Sequence, residues 1–391
     1  MNLICVALGI SFLAGIGFYN AFAQQVDESH LHTKIIASNL ENPWELVFAP
    51  DGRAFLTERT GNLDLMQNGT LQDEPIAHLQ VTQAGEGGLL GLALDPNFEA
   101  NHFLYLYYTY SDLEGLHNRV SRFTESNGTI SQEKVLIDKI PANTYHDDGR
   151  IKFGPDGKLY ITAGEAGRSD LAQNVTYLGG KILRINSDGT VPSDNLFEGS
   201  PVYTYGNRNP QGLDWDARNG NLIETEHGPS GEFGWHAHDE INLIIPGKNY
   251  GWPDVIGMAN DSRFVNPIYQ TGDITWAPSG ATFYTSDKIP QFKGKFLVAT
   301  LMGQGLEVIT LDKDDKVVST QKLFDGTFGR LRDVVQGPDG SLYLLTSNGG
   351  GGTANDKIIQ VVPEFGPTAA IVLAVSISSI VVVSKFRLPK L

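Results

Sequence analysis

Short apolar runs alternating with polar positions recur along most of the chain and break at Gly, Pro and Asp, a pattern of strands and tight turns rather than helices. Residues 46–57, 151–162 and 334–346 share one plan: a short β-type run, a Pro-Asp-Gly turn, and a second β-type run. Looser copies start at Leu92, Leu213 and Ala281, and a third run follows every hairpin, at 63–65, 120–123, 182–185, 241–245, 306–310 and 358–362. The turn positions Gly52, Asn97, Gly157, Gly220, Gly294 and Gly340 lie 45 to 74 residues apart. Six units of that size, each a four-stranded antiparallel sheet, predict an all-β fold, a six-bladed β-propeller whose closure hides edges that separate sheets would expose. Residues 33–37, ahead of the first hairpin, are placed to supply the outermost strand of the last blade. Two β-sandwiches in tandem would not repeat one hairpin in phase.

The two ends depart from this pattern. Residues 1–23 carry no charged side chain and finish Ala21-Phe22-Ala23, which reads as a secretory signal peptide. Residues 365–384 are a run of 20 uncharged residues followed by Lys385, Arg387 and Lys390. As a helix the run would be about 30 Å long, enough to cross a hydrocarbon core, and the basic residues after it put the C-terminus inside and the body outside. The expected organisation is a signal peptide over 1–23, a propeller over 24–363 and a membrane or sorting segment over 364–391. Pro363-Glu364-Phe365-Gly366-Pro367 resembles the PEF-type C-terminal sorting signals of archaea, which implies an exported protein held on the extracellular side of the membrane.

A chain of 391 residues, 41% of them hydrophobic, can bury a large core. Its formal charge of −16 repels phosphate backbones and argues against a nucleic-acid partner. Cys5 is the only cysteine, so the body has no disulfide framework, cysteine-rich zinc site or thiol nucleophile.

In a propeller the innermost strand of each blade lines the central channel, so residues just ahead of those strands meet at one mouth. Glu86, His146, Arg208 with Asn209 and Gln211, Thr275, and Arg330 with Arg332 hold that phase. Second strands run back to the same mouth, which adds Glu165, Glu226, His227, Gly228 and Pro229. Three arginines at one mouth of an acidic protein call for an anionic ligand such as a polycarboxylate or phosphate, unless each pairs with an acid such as Asp333 or Asp214. His146, with Glu165 able to orient it, is a candidate general base for oxidising a hydroxyl to a carbonyl. His236, His238 and Asp239 have metal-ligand chemistry, but at a spacing that suits a solvated loop better.

These positions carry a family resemblance. The motifs GEGGLLG at 85–91, HDDGR at 146–150, GNRNPQG at 206–212, DEINL at 239–243, NYGWP at 249–253, APS at 277–279 and RLRD at 330–333 resemble, in order, those of the soluble PQQ-dependent aldose and glucose dehydrogenases. The resemblance implies that His146 is the base on the sugar C1 hydroxyl and that Arg208 stabilises charge on the quinone. It implies that Asn209, Gln211, Thr275, Arg330 and Arg332 hold PQQ and that Glu86 faces an aldose substrate. The carbonyls of Gly228 and Pro229 would bind one Ca²⁺, and Glu240 with the carbonyl of Tyr250 a second. Electrons would leave to an external acceptor, a quinone or a redox protein. Met302 stands where the family usually has a cofactor-contacting lysine. The residues alone also admit a non-catalytic surface propeller that binds a glycan or protein, and a Ca²⁺-dependent hydrolase, although the latter would want carboxylates where this mouth has arginines.

Overall fold

The Pro-Asp-Gly turns fold by the same local chemistry each time. Gly52, Gly157 and Gly340 take φ of 85°, 70° and 76°, a region open to glycine at little cost. The preceding Asp51, Asp156 and Asp339 each accept, at 3.0 Å, the backbone N–H two residues on. Each turn therefore aims two short strands antiparallel before any tertiary contact forms.

The structure is a computed structural model that describes residues 25–349 and 353–364; the expected signal peptide at 1–23 and the uncharged run at 365–384 lie outside the described residues. Among the described residues no helix is long and apolar enough to cross a membrane. Six antiparallel sheets follow one another in chain order. The first blade is Pro43–Phe48, Ala54–Glu58, Asn62–Gln67 and Thr70–Leu71, with Ala77–His78 also pairing to its third strand. The second is Leu89–Leu94, Phe103–Asp112, Gly115–Ser126 and Thr129–Pro141; the third is Ile151–Phe153, Leu159–Ala163, Lys181–Ile185 and Val202–Tyr205. Pro210–Trp215, Leu222–Glu226, Glu240–Leu243 and Tyr269–Gln270 make the fourth, and Pro278–Phe283, Phe296–Thr300, Gly305–Leu311 and Val317–Leu323 the fifth. The sixth combines Leu331–Gln336, Leu342–Thr346 and Asp356–Pro363 with the N-terminal strand Leu31–Leu40, as the sequence pattern predicts for residues 33–37.

First strands touch one another around the axis. The core is divided: six buried apolar clusters each fill the space between neighbouring blades. Leu40, Tyr343 and Ile358 of the sixth blade, for example, pack on Leu46, Leu56 and Met66 of the first. No blade has a sufficient core of its own, so stability comes from neighbours.

Two predictions follow from this packing. Removal of residues 25–40 leaves Asp356–Pro363 as an unpaired edge, and the shortened chain is expected to melt at lower temperature and to associate on size-exclusion chromatography; an unaltered monomer would show that this strand does not carry closure. The second concerns Asp64, which is buried with Oδ2 unpartnered and whose carboxyl is pushed up to about 7 by burial, with Glu58 adding to the effect. The folded protein thus keeps this proton to higher pH than the unfolded chain, whose carboxyl titrates near about 4. Stability from this group is full below the unfolded value and is lost as pH rises to about 7. Asp64→Asn should raise the melting temperature at pH of about 8 and change it little at about 4.

Candidate active site

Inner strands begin, and second strands end, on one face of the ring. The residues at those two phases surround a cavity of about 840 Å³, lined among others by Glu86, Gln211, His227, Met302, Arg330 and Arg332. That size suits a small-molecule site.

His146 sits beside this cavity on the loop ahead of the third blade. Its backbone is left-handed, φ 60°, a conformation that costs a non-glycine residue free energy and persists only when its surroundings enforce it. Three contacts do so. The His146 N–H donates to Glu86 Oε2 at 2.7 Å, its carbonyl accepts from the Ala166 N–H at 3.3 Å, and Gly164 packs so close that any Cβ there would collide with that carbonyl. On the ring, Nδ1 meets Glu165 Oε1, which leaves Nε2 as the free basic atom. Tyr145 is edge-on to the imidazole with centroids 4.8 Å apart.

Arg208 comes from the loop ahead of the fourth blade. Glu226 fixes its backbone: one carboxylate oxygen accepts the Arg208 N–H, and the other accepts from Asn207 Nδ2 at 3.0 Å. The guanidinium stacks over Trp252 at 5.3 Å and donates from Nη1 to the His227 carbonyl at 3.1 Å. Contrary to the expectation of three arginines without acids, its Nη2 donates to Glu232 Oε1 at 2.5 Å. The same Glu232 oxygen lies 3.8 Å from His146 Nε2, so a carboxylate fills the space between the base and Arg208. Despite burial, the Arg208 charge holds Glu232 below the usual carboxylate range. Sequence reasoning missed Glu232 because its loop lies outside the strand phases that located the other residues.

Arg330 and Arg332 fit the expectation: neither forms an ion pair among the described residues. Arg330 Nη1 points to Met302 Sδ at 3.2 Å, and Arg332 Nη1 donates to Gln211 Oε1 at 2.9 Å. Burial, with repulsion from Arg59 and Arg330, brings the Arg332 guanidinium down to about 9. The acids named as possible partners are engaged elsewhere, Asp333 with Arg150 and Asp214 with Lys152. Thr275 is exposed and does not line the cavity; Ala277, two residues on, does. Asn209 is fully buried, with Oδ1 unpartnered and Nδ2 facing His227 Nδ1 at 3.3 Å.

A second, small cavity of about 20 Å³ is bordered by Gly228 and Pro229, expected at one Ca²⁺, and by Glu240 and Tyr250, expected at another, with Arg208 and Glu226 beside them. It has room for one ion or water. Burial, reinforced by Glu226, pushes the Glu240 carboxyl up to about 8, and Glu224 is raised well above its ordinary value by burial and the same neighbour. Crowded buried carboxylates of this kind suit a bound cation. Asp239 is spent on backbone N–H groups of Gly228, Trp276 and Ala277, and His238 Nδ1 faces the His236 carbonyl, so these three residues form no metal cluster.

The profile of the glucose/sorbosone dehydrogenase family matches residues 40–356. The aldose sugar dehydrogenase YliI of Escherichia coli is 32% identical over 359 residues, covering 85% of this chain and 93% of that protein. The PQQ-bound aldose sugar dehydrogenase of Streptomyces coelicolor is 32% identical with a TM-score of 0.75, over 85% of this chain and 98% of that structure. A Thermus thermophilus oxidoreductase described as a glucose dehydrogenase is 40% identical with a TM-score of 0.78, over 85% and 100%. With the profile matching residues 40–356 and relatives more than 30% identical over most of their own length, the chain belongs to the glucose/sorbosone dehydrogenase family.

Proposed function

We propose that this protein oxidises the C1 hydroxyl of an aldose to the lactone, with PQQ and Ca²⁺ as cofactors and an external quinone or redox protein as final electron acceptor. The observation that carries the reading is the His146–Glu165 pair, whose Nε2 makes no hydrogen bond, next to a cavity walled by Arg330 and Arg332, which form no ion pair among the described residues. The donor set fits a polycarboxylate quinone: Arg330 and Arg332 offer charge, Gln211 offers an amide, and the volume is sufficient. PQQ, when bound, supplies the two-electron acceptor for the sugar hydride. Gly228 and Pro229 carbonyls, with Glu240 and Tyr250 behind them, would hold Ca²⁺ in keeping with its preference for oxygen ligands.

The chain's own residues do the acid–base work. His146 Nε2 takes the C1 hydroxyl proton as hydride leaves the same carbon, and Glu165 on Nδ1 stabilises the imidazolium that results. Arg208 offers a fixed positive charge where negative charge develops, stabilisation that is larger in the transition state than in the ground state. For this, Glu232 must yield its place between Arg208 and His146. Glu86 anchors the His146 backbone and presents a carboxylate to the sugar hydroxyls. A non-catalytic glycan-binding propeller would have no use for an imidazole held in left-handed backbone with one nitrogen free.

The same reading includes export through residues 1–23 and attachment outside the cell through residues 364–391, supported by charge pattern and by the resemblance to archaeal PEF-type sorting signals. Fractionation of cells expressing the full chain and a chain ending at Pro363 tests it; equal recovery in the soluble fraction would sink the attachment.

Reconstituted with PQQ and Ca²⁺, the propeller should reduce a redox dye with at least one aldose; no turnover with any aldose would overturn the reading. His146→Gln should lower kcat/KM by about 10² to 10⁴, the range for loss of a general base. Arg208→Met should lower kcat by about 10² to 10³, as for loss of a transition-state donor. Chelation with EGTA should lower both the melting temperature and PQQ affinity, restored by Ca²⁺; a melting curve indifferent to chelation would remove the metal from the account.

A further inference from the structure

We infer that Arg59 is a further cofactor-binding residue, a third guanidinium on the cavity that receives a carboxylate of the bound quinone. The inference rests on the PQQ reading above and adds a residue to it. Arg59 follows the second strand of the first blade, Ala54–Glu58, and lines the same cavity as Arg330 and Arg332. It reaches that wall from the blade that neighbours theirs, on the other side of the ring's closure.

Its position is built rather than incidental. The Arg59 carbonyl accepts from the Leu89 N–H at 3.2 Å, and Gly88 packs so tightly on that carbonyl that a Cβ would collide with it. Nη2 donates to the Gly85 carbonyl and, at 3.4 Å, to that of Gly87. These contacts tie Arg59 to the loop that carries Glu86.

Its charge, in contrast, is met by carbonyl dipoles rather than by an acid. Nε is buried without a hydrogen-bond partner, and among the described residues no carboxylate forms an ion pair with the group. Glu86 and Asp147 act on it only from a distance, and burial holds the guanidinium below its ordinary value. After burial, repulsion from Arg59 is the largest influence on Arg332. Three like charges thus converge on one cavity, and the free energy stored in that convergence is released when an occupant carries several carboxylates. A single-anion ligand would leave at least one guanidinium desolvated and unpaired.

Direct titration of the Ca²⁺-loaded protein with PQQ, followed by tryptophan quenching, reads affinity without turnover. Arg59→Gln should raise the dissociation constant about tenfold and flatten its dependence on salt, as loss of one charged contact does. Met302 lines the same cavity and is exposed, so Met302→Lys returns one positive charge to it. In the Arg59→Gln background it should restore most of the affinity. An unchanged dissociation constant in Arg59→Gln overturns the inference. Weakened binding that Met302→Lys does not restore also overturns it, since Arg59 would then only tether the Gly85–Gly87 carbonyls. If Arg59→Gln fails to fold, Arg59→Lys retains the charge on a shorter arm and should weaken binding about threefold, again with no change counting against us. Wild-type protein that binds no PQQ at all would instead remove the functional reading itself.

Discussion

Ring closure is the constraint on which the rest depends. Leu31–Leu40 pairs with Asp356–Pro363, so the last sheet contains the first strand of the chain and the six blades cannot drift apart. Because the first three strands of every blade run in chain order and antiparallel, closure puts all inner-strand starts and all second-strand ends on one face. Residues far apart in sequence, such as His146, Arg208 and Arg332, are then delivered to one place by strands that are each buried on both sides. Loops alone could not hold them, because the site needs an imidazole in a costly backbone conformation and guanidinium groups stripped of water.

The charges within the mouth are sorted. On the side of the large cavity, Arg59, Arg330 and Arg332 form no ion pair among the described residues, although Glu86 shares the wall; on the side of the small one, Glu224, Glu226 and Glu240 crowd together with pKa values raised by burial. Each half is unfavourable alone, since desolvated like charges repel, and each calls for a ligand of opposite sign. Arg208 borders the small cavity: Glu226 holds its backbone, and its guanidinium donates to Glu232. A quinone anion and a calcium ion bound side by side would satisfy both halves together.

Much of this was legible in the sequence because the information was periodic. The Pro-Asp-Gly hairpins gave away the blades, and the phase ahead of the inner strands located His146, Arg208, Arg330 and Arg332. The same phase logic, carried to the end of the second strand in the first blade, would have found Arg59 beside Glu58; the signal was there, but a lone arginine after a strand carries no motif. Glu232 was out of reach, because its loop between Pro229 and Trp235 has no repeat to set its position. Thr275 shows the opposite limit: its place in the chain order is right, yet its side chain is exposed and Ala277 takes the wall.

The strand that closes the ring also sets where the chain leaves it. Leu31 lies opposite Pro363, and the Glu364 N–H donates to the His30 carbonyl at 2.7 Å, so the two ends of the propeller emerge side by side. In the sixth blade Leu331 pairs with Thr346 near the arginine-lined mouth, whereas Gln336, Leu342 and Val361 align at the opposite end. Both departures are therefore from the underside of the disc. A support or partner domain joined to the ring beside Leu31 or Pro363 would therefore sit opposite the arginine-lined mouth and leave it uncovered.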